Sequence, residues 1–155
     1  MKQSAIQESS SRALTIVLIS NNPVLRRGLH IILKESPFVS EIAEVAVSSQ
    51  AVDTVVREKP QVVVVDLRLV DTDSSALIRA LRAAAADSRI LVLSGLHDET
   101  LTREALAAGA EGVVLTIQPA AVLLAVIESL CGDVPRSMGP RSAQPATGVI
   151  SDTPS

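Results

Sequence analysis

Apolar positions along the chain come in two rhythms. Short unbroken runs of branched aliphatic residues alternate with longer stretches where an apolar residue returns every three or four positions. The clearest run is Val62-Val63-Val64-Val65, which follows Lys59-Pro60 and ends in Asp66. An alternating pattern would mark a strand with one wet face. A run that is apolar throughout marks a strand covered on both faces, as in a parallel sheet. Asp66 then stands at the carboxyl end of a central strand, the edge of an open α/β sheet where ligands bind.

The other elements follow from the same reading. Residues 14–19 are the first strand. Asn22 caps a helix with Pro23 at its first position, where a missing N–H costs nothing. Leu25, Leu29, Ile32 and Leu33 form its apolar face, and Ser36-Pro37 ends it. Residues 42–47 are a weaker strand. Ser48 or Ser49 caps a helix carrying Val52, Val55 and Val56, which Pro60 terminates. After a polar loop over 68–73, Ser74 caps a helix with Leu77, Ile78 and Leu81. Residues 90–94 are the fourth strand. Asp98 caps a helix over 99–108 that Gly109 closes. Residues 112–116 are the fifth strand. Pro119 opens a last helix that runs to about Cys131 and stops at Gly132. Five strand–helix units predict one α/β domain over 13–132, with a parallel sheet and right-handed crossovers. Residues 1–12, polar and Ser-rich, read as a disordered tail. Residues 133–155, rich in Pro, Gly and Ser, read as a linker or tail.

Composition narrows the function classes. The 155 residues suffice for one domain with a real core. With one Phe and no Trp or Tyr, that core is aliphatic. Few aromatics argue against recognition of single strands by base stacking. A formal net charge of −3 argues against a nucleic-acid footprint. The single cysteine, Cys131, reads as a free thiol in a reducing cytosol. No signal peptide and no membrane-spanning run is visible, so the expectation is a cytoplasmic chain that touches neither membrane nor nucleic acid through these residues. His30 and His97 have no Cys, Ser or acidic partner at catalytic spacing. No G-x-G-x-x-G follows the first strand, which excludes hydride transfer from a dinucleotide. No enzyme activity is expected.

Read together, the strand ends resemble a response-regulator receiver domain. The stretches that carry the resemblance are Val17-Leu18-Ile19 with Pro23 and Arg26-Arg27-Gly28-Leu29, then Val65-Asp66-Leu67-Arg68-Leu69, Leu91-Val92-Leu93-Ser94, and 104–112. They are similar to the subfamily whose receivers precede a helix-turn-helix domain. The resemblance implies a flavodoxin-like, doubly wound sheet of five parallel strands in the order 2-1-3-4-5. It also implies phosphotransfer from a sensor histidine kinase, with Asp66 as the phosphoacceptor and Ser94 as the hydroxyl that reaches the phosphoryl group.

Three positions depart from that pattern. The family's Mg²⁺-binding acidic pair is matched by Ser20 and Asn21, the phosphate-binding lysine by Thr116, and the aromatic switch of the fifth strand by Val113. Neutral hydroxyl and amide oxygens hold Mg²⁺ far less well than carboxylates. The expected pocket of Ser20, Asn21, Ser94 and Thr116 around Asp66 therefore has no resident metal, and any Mg²⁺ binding is weak. Asp71 and Asp73 are expected to be solvated loop residues.

The last helix carries a broad apolar arc of roughly 200°, more than one sheet contact needs. The surplus points to a homodimer through Leu123, Ile127 and Leu130. The functional expectation is an atypical receiver that serves transcription regulation by protein contact, with weak or no phosphorylation. Two alternatives stand beside it: a working phosphorelay receiver that uses Asp66, and a flavodoxin-like module for a small molecule or cofactor.

Overall fold

A computed structural model describes residues 13–131. The expected tails over 1–12 and 133–155 lie outside the described residues. The elements are β1 Leu14–Ile19, α1 Pro23–Lys34, β2 Val39–Val45, a 3-10 turn at Ser48–Gln50, α2 Ala51–Glu58, β3 Val62–Asp66, α3 Ser74–Ala84, β4 Arg89–Ser94, α4 Glu99–Ala108, β5 Gly112–Leu115 and α5 Ala120–Cys131. The sheet is parallel in the order β2-β1-β3-β4-β5, as the resemblance implied.

β3 is buried along its whole length. Its side chains alternate between two cores, which explains why the run has no polar member. Val63 and Val65 pack with Val17, Ile19, Ile90 and Val92 under α2, α3 and α4. Val62 and Val64 pack with Ile16, Leu18, Leu91 and Leu93 under α1 and α5. Each valine so buried contributes about 1.5–3 kcal/mol. A register slip of one residue would exchange the two faces and move Asp66 to the opposite side of the sheet. β3 therefore both anchors the fold and fixes the carboxylate at its edge.

Several boundaries differ from the pattern-based reading, each for a local reason. β2 covers Val39–Val45, and Val47 beyond it is 47% exposed. Val39 is drawn in by pairing with Leu14. Neither Ser48 nor Ser49 caps α2: the Ser48 amide and hydroxyl both donate to Asp71, and a 3-10 turn leads into the helix. Asp73, not Ser74, caps α3, accepting from the Ser75 amide at 3.1 Å. Asp98 holds the N-cap position of α4 but makes no capping bond to the helix, because its carboxylate takes the Gly95 amide. β5 stops at Leu115, although the Thr116 amide still donates to the Ser94 carbonyl at 2.9 Å.

The largest correction concerns α5. Leu123 and Ile127 are 3% and 0% exposed, and both belong to the protomer's own core beneath the sheet. They are not available to a partner. Leu130 is half-buried against the same core. The exposed positions of this helix are Ala120, Ala121, Ala125, Glu128 and Ser129.

Candidate functional site

The site is built on the carboxyl edge of β1, β3 and β4, where three loops leave the sheet side by side. Asp66 ends β3 opposite Leu93 and is 5% exposed. Its Oδ2 accepts from the Ser20 hydroxyl at 2.7 Å, and its Oδ1 accepts from the Arg68 amide at 3.0 Å. Ser20 is itself buried, and its Oγ also accepts from the Asn22 amide at 3.1 Å. Ser20 is held there by backbone, its amide on the Val45 carbonyl and its carbonyl under the Arg26 guanidinium at 2.7 Å. That guanidinium turns its Nε to Glu44 at 3.3 Å. None of the ion pairs among the described residues includes Asp66.

Asn21 works one layer out. Its Nδ2 donates to the Ala46 carbonyl at 2.9 Å, and its Oδ1 accepts from the Val70 amide at 2.7 Å. One amide side chain thus joins the loops after β1, β2 and β3. Asp71 runs alongside, taking the Ser48 amide at 2.8 Å and the Ser48 hydroxyl at 2.6 Å. Those two donors hold its carboxyl below the usual range, against the small opposing effect of burial. Asp71 is therefore a tie between loops, and Asp73 is a helix cap; neither is merely solvated.

The β4 side is arranged differently. The Ser94 hydroxyl is buried and lies 2.7 Å from the Thr102 hydroxyl on α4. Arg68 directs its Nε to Asp98 at 3.2 Å, across Gly95. A Cβ on Gly95 would meet Asp98 Oδ2 at 2.7 Å and Arg68 at 3.3 Å, so a larger residue would push these two side-chain ends aside. The Gly95 amide and then Arg68 hold the Asp98 carboxyl below its ordinary value. Thr116 is exposed and tied to β4 through its backbone, and Val113 packs on the α4 side of β5. Of the expected pocket residues, Ser20 alone donates to Asp66. Asn21 braces the loops around it, while the Ser94 hydroxyl and Thr116 side chain make their contacts elsewhere or face solvent.

These donors do not suit Mg²⁺. A hard cation of octahedral habit needs carboxylates and water. Ser20 spends its hydroxyl proton on Asp66, and Asn21 commits both ends of its amide to backbone. Among the described residues no group of three or more His, Cys, Asp or Glu side chains could hold a metal.

The family model of the response regulator receiver domain matches residues 16–128. The chain belongs to that family. This receiver is 31% identical over 100 residues to the DNA-binding transcriptional activator DevR/DosR of Mycobacterium tuberculosis, covering 64% of this chain and 46% of that protein. It is 25% identical over 127 residues to the nitrate/nitrite response regulator protein NarL of Escherichia coli, covering 81% and 59%. The receiver spans about half the length of the curated relatives it matches. Among solved structures, a two-component response regulator of the LuxR family from Aurantimonas superposes with a TM-score of 0.71 at 26% identity, covering 77% of this chain and 85% of that one. The signal receiver domain of a NarL from Mycobacterium tuberculosis superposes at 0.69 with 23% identity, covering 77% and 98%, which supports the fold. The domain is thus a two-component receiver of the kind found in NarL- and LuxR-type transcription regulators, which sets aside the cofactor-module alternative. No helix among the described residues is long and apolar enough to cross a membrane.

The sequence reading gave Arg68, Asp98, Ser48 and Thr102 no place at the site. For the first two the signal was an arginine two residues past Asp66 and an acid after the next strand, both on loops at one sheet edge.

Proposed function

We propose that this chain is an atypical receiver that passes its signal through protein contact, without phosphorylation of Asp66. The observation that carries this reading is the Ser20 hydroxyl on the Asp66 carboxylate at 2.7 Å. It stands where the resemblance calls for a metal-binding acid. A phosphoryl group would bring a charge of about −2 beside Asp66. In phosphoryl transfer the stabilisation of that charge is the main catalytic contribution, and cations supply it. Ser20, Asn21 and Thr116 supply none. The partners in this reading are a sensor histidine kinase or another signalling protein, and a second copy of the chain against the outward face of α5. The setting is cytoplasmic, and the output is transcription regulation, as the names of the relatives suggest.

The test is intact-mass spectrometry after incubation with a small acyl phosphate and Mg²⁺, wild type beside Asp66→Asn. The reading expects no adduct on either. A phosphoryl adduct confined to the wild type would replace it with a working phosphorelay receiver. Ser20→Asp/Asn21→Asp, which restores the acidic pair, is the positive control for metal-dependent transfer.

A further inference from the structure

We propose that Asn21 is the centre of a metal-independent brace that keeps the three loops around Asp66 in one fixed arrangement. The inference rests on the reading of a pocket without Mg²⁺ and deepens it. Three segments distant in sequence meet at this side chain: its own loop, Ala46 after β2, and Val70 after β3. An amide is the group that suits this place. It donates to a carbonyl at one end and accepts from an N–H at the other, with no net charge to add beside the buried Asp66. A carboxylate there could accept from Val70 but would face the Ala46 carbonyl with a second acceptor. The Asp71–Ser48 pair closes a second strand of the same brace, since it also joins the loops after β2 and β3. The arm from Ser20 to Asp66 joins the first loop to the end of β3.

A cation shared by several loops holds them only while it is bound. Side-chain bonds of this kind are made on folding and stay made. The brace therefore gives the domain a loop arrangement that does not respond to Mg²⁺. The exposed side chains on two of those loops, Val47 and Val70, then keep fixed positions relative to one another.

The test is residue-resolved amide exchange on the full chain, with and without millimolar Mg²⁺. Wild-type exchange at Ser48, Arg68 and Val70 is expected to be the same in both. Asn21→Ala should speed Val70 about tenfold, the worth of one net hydrogen bond. It should also speed Ser48, whose amide bonds to Asp71 rather than to Asn21. Acceleration at Ser48 is the readout that separates a brace from a single local bond. Asn21→Asp splits the arms: Val70 stays protected and Ser48 loosens. If Asn21→Ala does not fold, Asn21→Asp carries the test alone. Slower wild-type exchange in Mg²⁺, or a Ser48 amide unmoved by either variant, overturns the brace. A phosphoryl adduct on Asp66 in a protein with the expected exchange pattern would instead remove the functional reading and leave the brace standing.

Discussion

Ser20→Ala is the perturbation that reads the pocket most directly. The Ser20 hydroxyl is the side-chain donor on a carboxylate that is 5% exposed, and the methyl that replaces it donates nothing. Hydrogen bonds to charged groups contribute about 1.5–3 kcal/mol net, because the buried acceptor is left unsatisfied when the donor goes. The Asn22 amide also loses an acceptor, but Asn22 lies at the surface and water replaces it. The expected loss at neutral pH is therefore about 2–3 kcal/mol. In an Asp66→Asn background the same substitution removes only a neutral bond, worth about 1 kcal/mol. The coupling between the two positions is then about 1–2 kcal/mol, within the range of directly contacting groups. Asp66→Asn alone leaves the fold intact, since the two aliphatic cores of β3 do not involve the carboxylate. Urea denaturation followed by far-ultraviolet circular dichroism measures all four proteins; with no Trp or Tyr there is no useful intrinsic fluorescence. Equal costs of Ser20→Ala in both backgrounds would mean that the hydroxyl does not serve the Asp66 charge.

Three further outcomes are expected. Ile127→Glu and Leu123→Glu place a charge in the α5 core and cost at least about 3–5 kcal/mol, so they unfold the domain; a folded variant by circular dichroism would remove these side chains from the core. Ala125→Glu, on the outward side of α5, keeps the fold and weakens self-association in light scattering; an unchanged dimer would exclude this face. Glu111 feels burial pushing its carboxyl up, but Arg89, the Ile90 amide and Arg82 outweigh it, and the folded value lies below the ordinary 4.5. Its contribution is present above pH 4.5 and is lost as pH falls through the depressed folded value. Urea midpoints should therefore separate wild type from Glu111→Gln at neutral pH and converge in acid, and a constant difference would contradict this.

Much of the fold was legible because burial on both faces leaves strands with no polar member. The valine run announced β3 and its edge carboxylate. The Asn22–Pro23 start of α1 was legible because capping is a local interaction, with both N–H groups within three residues. Caps failed where candidates stood side by side: Asp73 and Ser74 both suit an N-cap, and the extended backbone at Asp73 decides between them. α5 failed for a different reason. It is apolar nearly all round, so its pattern carries no phase, and nothing local says that Leu123 and Ile127 face the sheet while Ala125 faces out. The brace was illegible in principle, since Asn21 reaches partners 25 and 49 residues away. A neutral residue at an acidic position reads in sequence as a loss, and only the folded chain shows the contacts it makes.

The same geometry supports the proposed reading of a pocket that stays unmodified. One carboxylate needs few donors, and Ser20 and the Arg68 amide occupy both of its oxygens. A phosphoryl group would bring three more acceptor oxygens and added charge. The nearby donors are already engaged, with the Ser94 hydroxyl against Thr102 and the Arg68 guanidinium against Asp98. To reach a phosphoryl oxygen, Arg68 would have to leave a carboxylate held below its usual range by the Gly95 amide and then by that guanidinium. Each new contact would be made at the expense of an existing one, so modification brings little net gain to offset its added charge. On the reading proposed above, a receiver built this way gains more from a partner that binds the assembled edge than from a group that must break it.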